Sequence, residues 1–463
     1  MKIVIIGSGP GGYVAAIRSA QLGAEVTVVE DTEVGGGCLN RGCIPTKALL
    51  ASSEIYSKAK DIGQFGIELR GELVPNIANI VERKDKIVAT QVKGIRSLFK
   101  SWGVVLKEGR AVLSSPSVVE VSLRDGAVEK IAADRIIIST GSRPAVIPSL
   151  PFDGETVISS TDALFVSKIP QSLLIVGAGV IGCEFACLFG GLGSDVTMVE
   201  MMDRAVSGED AEVSELLERE LKKKKIKLHT GVSVTRTEKT GDGIRAFLSD
   251  GREIAAEKIL VSIGRALNSD NLGLEALGIK TGNKGQIIVN RRMETNIPGI
   301  YAIGDVTGEM LLAHVASKQG IVAAGNIMGA PDEMDYHVVP AAVFTSPEIG
   351  SVGLRERQAV ERGMKIRIGR FQFRALGKAH AVGEIAGFVK IISDEMTGQI
   401  LGAHIIGPHA SDLIHEIAVA MKAGLTAADI AETIHAHPTL SEGIMEAAAD
   451  VDGAAIHVQK KQN

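Results

Sequence analysis

An α/β fold with two Rossmann-like dinucleotide-binding domains, followed by a C-terminal α+β domain, is predicted by three features of this chain. The first is an internal repeat: Gly7-x-Gly9-x-x-Gly12 returns 170 positions later as Gly177-x-Gly179-x-x-Gly182. The second is what flanks each triplet, a short apolar run before it (residues 3–6 and 173–176) and a helix-like stretch after it. The third is an acid closing the next apolar run, Glu30 and Glu200, each 18 positions beyond the last glycine of its triplet. The approaches to the two acids also match, residues 22–30 against residues 192–200. One glycine triplet is weak evidence. Two, each in a strand–turn–helix–strand–acid setting, imply two separate dinucleotide sites.

The spacing has a physical reason. The first glycine of such a turn (Gly7, Gly177) permits the tight bend, the second (Gly9, Gly179) lets the backbone approach a pyrophosphate, and the third (Gly12, Gly182) lets helix and strand pack closely. The helix that opens there, at Val180 and Ile181 in the second copy, offers unpaired amides and a partial positive charge to phosphates. Glu30 and Glu200, at the strand ends, suit ribose hydroxyls. Two ordinary turns would not place their acids equivalently.

With 463 residues the chain is too long for one ordinary core, and two to four domains are expected. Hydrophobic residues at 45% and charged residues at 23% place it among globular proteins. A net charge of −5 with no long basic tract argues against nucleic acid as a main partner. The lysine run at residues 222–225 reads as an exposed helix end. No apolar run approaches the roughly 20 residues of a membrane span, so no membrane partner is expected. The first strand starts at Lys2, which leaves no room for a signal peptide and favours a cytoplasmic location, provided no presequence was removed. In a reducing compartment the four cysteines are not a structural framework, and paired cysteines read as chemistry.

Such a pair is Cys38 and Cys43, inside a glycine-rich stretch at residues 35–47. Residues five apart in a regular helix lie too far apart for a disulfide, so a bridge needs a distorted turn, and Gly42 and Pro45 supply the irregularity. The alternative, two small buried hydrophobes, sits poorly with glycines on both sides. Cys183 and Cys187 differ: four apart in the helix after the second glycine motif, they read as core filler.

The Cys38-Leu-Asn-x-Gly-Cys43-Ile-Pro-x-Lys47 segment resembles the redox-active disulfide of the class I flavoprotein disulfide reductases, and most closely their dihydrolipoyl-oxidising branch. The resemblance continues through Ser139-Thr-Gly-Ser142, the second glycine motif ending at Glu184, Ser262-Ile-Gly264-Arg, Tyr301-Ala-Ile-Gly304-Asp305 and His435-Ala-His437-Pro-Thr-Leu-Ser-Glu442, essentially the whole chain. It implies FAD at Gly7, Gly9, Gly12 and Glu30, with further contacts from Cys38, Lys47, Gly109, Thr140, Gly141, Ser142, Asp305, Leu311, Leu312, Ala313 and His314. It implies NAD at Gly177, Gly179, Val180, Ile181, Gly182, Glu184 and Glu200, with Ser233 and Gly264 nearby. Glu200 favours NAD because it would bind free ribose hydroxyls and repel a 2′-phosphate; Arg204 is the one cation close to it in sequence.

Other roles also follow from the resemblance. Lys47 and Glu184 would pair beside the flavin, although by sequence alone both read as surface charges. His437 would be the base, held by Glu442, and would act at the cysteines of a second subunit, so that a homodimer shares its active sites. By sequence alone a His-Pro near the C-terminus is a turn; His435 competes for the role but lacks the following proline. The implied divisions are residues 1–145 (FAD, first part, interrupted by a charged helical segment at 77–100), 146–272 (NAD), 273–342 (FAD, second part) and 343–463 (dimer interface). The implied reaction oxidises the dihydrolipoyl groups of lipoyl domains, in 2-oxo acid dehydrogenase or glycine cleavage complexes, with NAD as acceptor. Alternatives are another NAD(P)H-dependent disulfide reductase, or a flavin-bearing docking subunit without turnover, disfavoured by the complete cysteine and histidine set. Of the reductases, a glutathione reductase would favour NADP against Glu200, and a mercuric reductase is disfavoured because no vicinal cysteine pair stands near the C-terminus.

Overall fold

The computed structural model describes residues 1–241 and 243–459. In its first sheet the strand Lys2–Ile6 lies between Glu25–Glu30 and Arg135–Ile138, with Val105–Ser115 and Ile300–Ala302 outside them, all parallel. Ile3, Val4 and Ile5 are buried. That is why the run is continuously apolar rather than alternating: helices cover both faces of a parallel sheet. An antiparallel meander, Val118–Leu123 and Val128–Ala132, extends the edge from Val105–Ser115.

The second sheet repeats this plan. Ser172–Val176 lies between Asp195–Val199 and Lys258–Val261, with Lys227–His229 and Val157–Ser159 outside, again all parallel. It too has a three-stranded antiparallel appendage, Val234–Thr240, Gly243–Leu248 and Glu253–Ala256. The chain passes between the halves on two short strands that pair with each other, Ser142–Pro144 and Arg265–Leu267. The strand Ile300–Ala302 then rejoins the first sheet. The expected charged helix of the first half is present as Ile77–Ser101.

A third, antiparallel sheet runs Ala341–Val343, Glu348–Gly353, Ile400–Gly407, Phe388–Asp394, Ile366–Gln372. Helices Ala410–Lys422 and Glu442–Asp450 pack on it through Ile414, Ile417 and Ile444, which share a core with Phe371, Ile391 and Ile405.

Two further packings position the site. The helix Cys43–Lys60 lies against Val180–Leu192, where Ser53 Oγ donates to the Leu188 carbonyl at 2.8 Å and Leu49 joins the core of Phe185, Phe189, Phe388 and Ile406. The cysteine-bearing helix is thereby fixed to the helix of the second glycine motif. Lys390, with its side chain only 1% exposed, donates to Asp210, Glu212 and Glu356 at 2.9, 2.7 and 2.6 Å and joins the third sheet to the second half.

Candidate functional site

The two glycine turns have the same geometry. Gly7 (φ +98°) and Gly177 (φ +102°) sit in the left-handed region, and a β-carbon there would lie 2.3 Å from the Ser139 carbonyl oxygen or 2.6 Å from that of Ser262. At Gly12 and Gly182 it would lie 2.0 and 1.9 Å from the carbonyl oxygens of Gly7 and Gly177. The chain itself therefore requires these four. Gly9 and Gly179 are different: an added β-carbon would meet nothing within 4 Å, and neither has a positive φ. Nothing in the chain demands glycine there, but a pyrophosphate lying on the turn would. This open cradle, present twice, fits two dinucleotides.

The acids close both cradles. Glu30 accepts from the Ser8 amide at 2.8 Å and hydroxyl at 2.6 Å, and from the Thr32 amide and hydroxyl at 3.0 Å each. Glu200 accepts from the equivalent amides, Ala178 at 2.6 Å and Met202 at 2.8 Å. Alanine and methionine bring no hydroxyl, so Glu200 keeps more of its acceptor capacity for a ligand. Ser8 and Thr32 were not singled out from the sequence, although Ser8 against Ala178 is a visible difference between the repeats. Ser233 is exposed, next to Val232, whose amide donates to the Glu200 carbonyl at 3.1 Å. Gly264 has φ +126°, with open space where a side chain would stand.

The cysteines sit at a break between two helices. Gly36–Arg41 ends and Cys43–Lys60 begins at Gly42, where a β-carbon would stand 3.3 Å from the Cys38 α-carbon. Asn40, buried between the cysteines, donates to the Val34 and Gly36 carbonyls at 3.0 and 2.9 Å and ties the short helix down. Cys38 is partly covered and Cys43 exposed, one on each side of this break. The neighbouring Cys38 side chain draws the Cys43 thiol down to about 7, and the Lys47 ammonium assists. Cys43, then burial, pushes the Cys38 thiol far up. The half-buried Tyr13 phenol, on the helix of the first glycine motif, is raised by burial and then by Cys38.

Lys47 donates to both Glu184 oxygens at 2.8 Å. Far from a surface charge, the Glu184 side chain is 4% exposed. Its Oε1 also accepts the Phe344 amide at 3.1 Å, and the Lys47 Nζ lies 4.5 Å from the Phe344 ring centre. Phe344 was invisible as a site residue in the sequence. Asp305 follows the strand Ile300–Ala302 on a short helical turn, where it accepts from the Ser142 hydroxyl and Arg265 approaches at 3.7 Å. Leu312 precedes the helix Ala313–Ile327, whose first amides, at Ala313 and His314, have no intrahelical partner. Leu311 is exposed, and His314 Nε2 reaches the Pro340 carbonyl at 2.8 Å.

Four of the singled-out positions, Thr140, Gly109, Cys183 and Cys187, are engaged by the chain itself. Thr140 Oγ1 donates to the Asn268 carbonyl at 2.6 Å, beside Gly141 at φ +71°. Gly109 is buried in its strand, where a β-carbon would stand 2.5 Å from the Ser122 carbonyl oxygen, so strand pairing already requires it. Cys183 and Cys187 are buried in the core of the second half.

The two histidines separate clearly. His437 Nδ1 lies 2.8 Å from Glu442 Oε1, while its side chain is 77% exposed. Burial would raise Glu442, but the Thr439 amide and His437 hold it below the usual carboxylate range. A carboxylate at Nδ1 fixes the tautomer and leaves Nε2 as the free base. His435 is buried, with Nε2 at 2.8 Å from Glu416 and Nδ1 at 2.8 Å from the Thr433 carbonyl, so both its nitrogens are engaged. Among the described residues no hydrogen bond joins His437 to Cys38 or Cys43 within the chain.

Two nucleotide cradles, a thiol pair and a Lys–Glu couple with a buried carboxylate, at the contact of their helices, define a class, and comparison with known proteins gives the same class. Residues 1–320 match the pyridine nucleotide-disulphide oxidoreductase family and residues 339–448 match that family's dimerisation domain. The chain belongs to this family. Its curated relatives include the dihydrolipoyl dehydrogenases of Chlamydia muridarum, 45% identical over 98% of this chain and 97% of the relative, and of Bacillus subtilis, 44% identical over 98% of each. Among solved structures, LpdA from Mycobacterium tuberculosis superposes with a TM-score of 0.92 at 31% identity, over 97% of this chain and 99% of the other.

Proposed function

We propose that this protein oxidises protein-bound dihydrolipoyl groups to the cyclic lipoyl disulfide and reduces NAD to NADH. The cysteine pair at the Gly42 break carries this reading, with Cys43 drawn towards the thiolate beside Lys47. The curated relatives named dihydrolipoyl dehydrogenase support the substrate class.

The open cradle at Gly9 suits FAD and that at Gly179 suits NAD. When bound, FAD supplies the carrier that takes an electron pair from the protein dithiol and delivers hydride to NAD. The chain's own residues do the rest. His437 of one protomer, oriented by Glu442, takes a proton from the substrate thiol of the other protomer's site, because the thiolate is the nucleophile. That thiolate attacks Cys38 Sγ, the Cys38–Cys43 bond breaks, and Cys43 leaves as a thiolate stabilised by Lys47. The second substrate thiol then displaces Cys38, forming the lipoyl disulfide and returning Cys38 as a thiol. Glu184, held by the Phe344 amide, fixes Lys47. We assign residues 1–145 and 273–342 to FAD, 146–272 to NAD and 343–463 to the dimer interface.

Turnover of dihydrolipoamide, glutathione disulfide and mercuric ion, each with NAD(H) and NADP(H), tests the reading. Oxidation of dihydrolipoamide with NAD alone is expected. Preferential reduction of glutathione disulfide by NADPH would overturn it.

A further inference from the structure

The loop after Glu200 is strapped onto the second glycine turn and carries two charges, Asp203 and Arg204, that the reaction above does not use. Ala178 holds both ends of the strap: its amide donates to Glu200 Oε2 at 2.6 Å, and its carbonyl accepts the Val206 amide at 2.8 Å. Val206 takes φ +40°, unusual for a β-branched residue, so the surrounding contacts hold the strap in place. Between these anchors the Met202 amide donates to Glu200 Oε1 and the Met202 carbonyl accepts the Gly231 amide, both at 2.8 Å. A dinucleotide in this cradle, with its adenosine ribose at Glu200, would meet the strap that carries Arg204.

A guanidinium at that place is the ordinary partner of a 2′-phosphate, and its fork matches phosphate geometry. Here the fork is already occupied. Arg204 Nη1 lies 3.3 Å from Asp203 Oδ2, and Nη2 donates to the Ser207 carbonyl at 3.1 Å. Its Nε is buried with no partner. Arg204 is 23% exposed and Asp203 75%, so the aspartate is the solvent-side guard of a largely covered cation.

A second guanidinium on the same rim is treated alike. The Glu200 amide donates to the His229 carbonyl at 2.8 Å, and Arg252 Nη1 lies 2.6 Å from His229 Nδ1. Arg252 is held by Asp250, with Nε donating to Oδ2 at 2.7 Å. Sequence position alone had suggested Arg204 as the one nearby cation; the fold adds Arg252, and it too comes with its own aspartate.

We propose that Asp203 is a positioning residue for nucleotide choice: it keeps the Arg204 guanidinium in an intramolecular pair and so withholds it from a 2′-phosphate, reinforcing the direct repulsion from Glu200. The proposal rests on the NAD reading of the second cradle and deepens it. Glu200 acts on the ribose itself, whereas Asp203 acts through Arg204.

Calorimetric titration of the holoenzyme with 5′-ADP and with 2′,5′-ADP tests it without recourse to turnover. Asp203→Asn is expected to tighten 2′,5′-ADP by about fivefold or more, the scale of one charge-assisted contact, with 5′-ADP changed by less than about twofold. In an Arg204→Gln background the same substitution should bring no selective gain. Arg357 also feels the Asp203 charge, so this background carries the assignment. Arg204→Met replaces Arg204→Gln if the latter does not fold. Absence of the gain, or a gain that persists without Arg204, overturns the role given to Asp203. Wild-type protein that binds 2′,5′-ADP as tightly as 5′-ADP would instead overturn the NAD reading itself, whatever Asp203 does.

Discussion

In the proposed reaction a single proton at Cys43 and another at His437 decide the chemistry. With its thiol drawn to about 7 from the ordinary 9.0, Cys43 of the reduced enzyme should react with iodoacetamide at a rate that rises through neutral pH. Lys47→Met should move that midpoint upward, since the ammonium assists ionisation; an unchanged midpoint would remove Lys47 from the pair's electrostatics. Cys43→Ser should abolish lipoamide turnover yet leave the flavin spectrum intact, because the contacts proposed for FAD come from the first glycine turn, Glu30 and Asp305. For His437→Ala, dithiol oxidation should slow by about 100-fold or more. Stopped-flow reduction of the flavin by NADH needs no such base and should be nearly unaffected. Equal slowing of both half-reactions would take His437 out of the role.

At the scale of the element, the glycines of one turn divide into those the chain needs and those the ligand needs. Gly12→Ala would force a β-carbon to within 2.0 Å of the Gly7 carbonyl, so that helix and strand must separate. A loss of at least about 3 kcal/mol is expected, visible as a large fall in melting temperature. Gly9→Ala meets open space at an ordinary φ and should fold normally, but purify with little flavin. Gly179→Ala should likewise keep its stability and lose NAD affinity. If Gly9→Ala unfolds while Gly12→Ala does not, this division of roles is reversed. The duplication provides an internal control, since Gly7, Gly12, Gly177 and Gly182 share their close contacts across two unrelated sets of neighbours.

Across the whole molecule, the third sheet is tied to the second half through Lys390, a charge that the folded chain buries. Lys390→Met would leave Asp210, Glu212 and Glu356 facing one another, with an expected cost of about 3–5 kcal/mol in thermal or urea unfolding. Burial works against Asp210 and Glu212, but His404 and Lys390 at the first, and Arg370 and Lys390 at the second, hold both below their ordinary values of 3.8 and 4.5. A depressed carboxylate stabilises the fold above its unfolded value, and that stability is lost as pH falls through the lower folded value. The wild type should therefore lose stability on acidification below about pH 4.5, and Lys390→Met should lose less over the same interval. At the assembly level, mixing His437→Ala with Cys43→Ser protomers should restore activity. One site of the mixed dimer then joins intact cysteines to an intact histidine. Demonstrated subunit exchange without recovered activity would end the shared-site proposal.

The paired sheets were legible in the sequence because periodicity, glycine spacing and terminal acids are local signals, and their repetition 170 positions apart left little room for coincidence. The cysteine pair was legible for the same reason, as a glycine-rich segment whose irregularity the chain spells out at Gly42. The partners of these residues were not legible. Phe344 beneath Lys47, Glu416 at His435, Asn268 at Thr140 and Asp250 with Arg252 beside His229 come from distant segments, and nothing local marks them. Burial also reversed the sequence reading of Glu184, because whether a carboxylate is a surface charge depends on which helix is laid over it. The sequence by itself determined the two cradles and the thiol pair, since turn geometry and short apolar runs act over a few residues. Only the tertiary structure decided which charges meet, which histidine keeps a free nitrogen and which guanidinium is withheld, because Coulomb interactions and desolvation depend on distance in space.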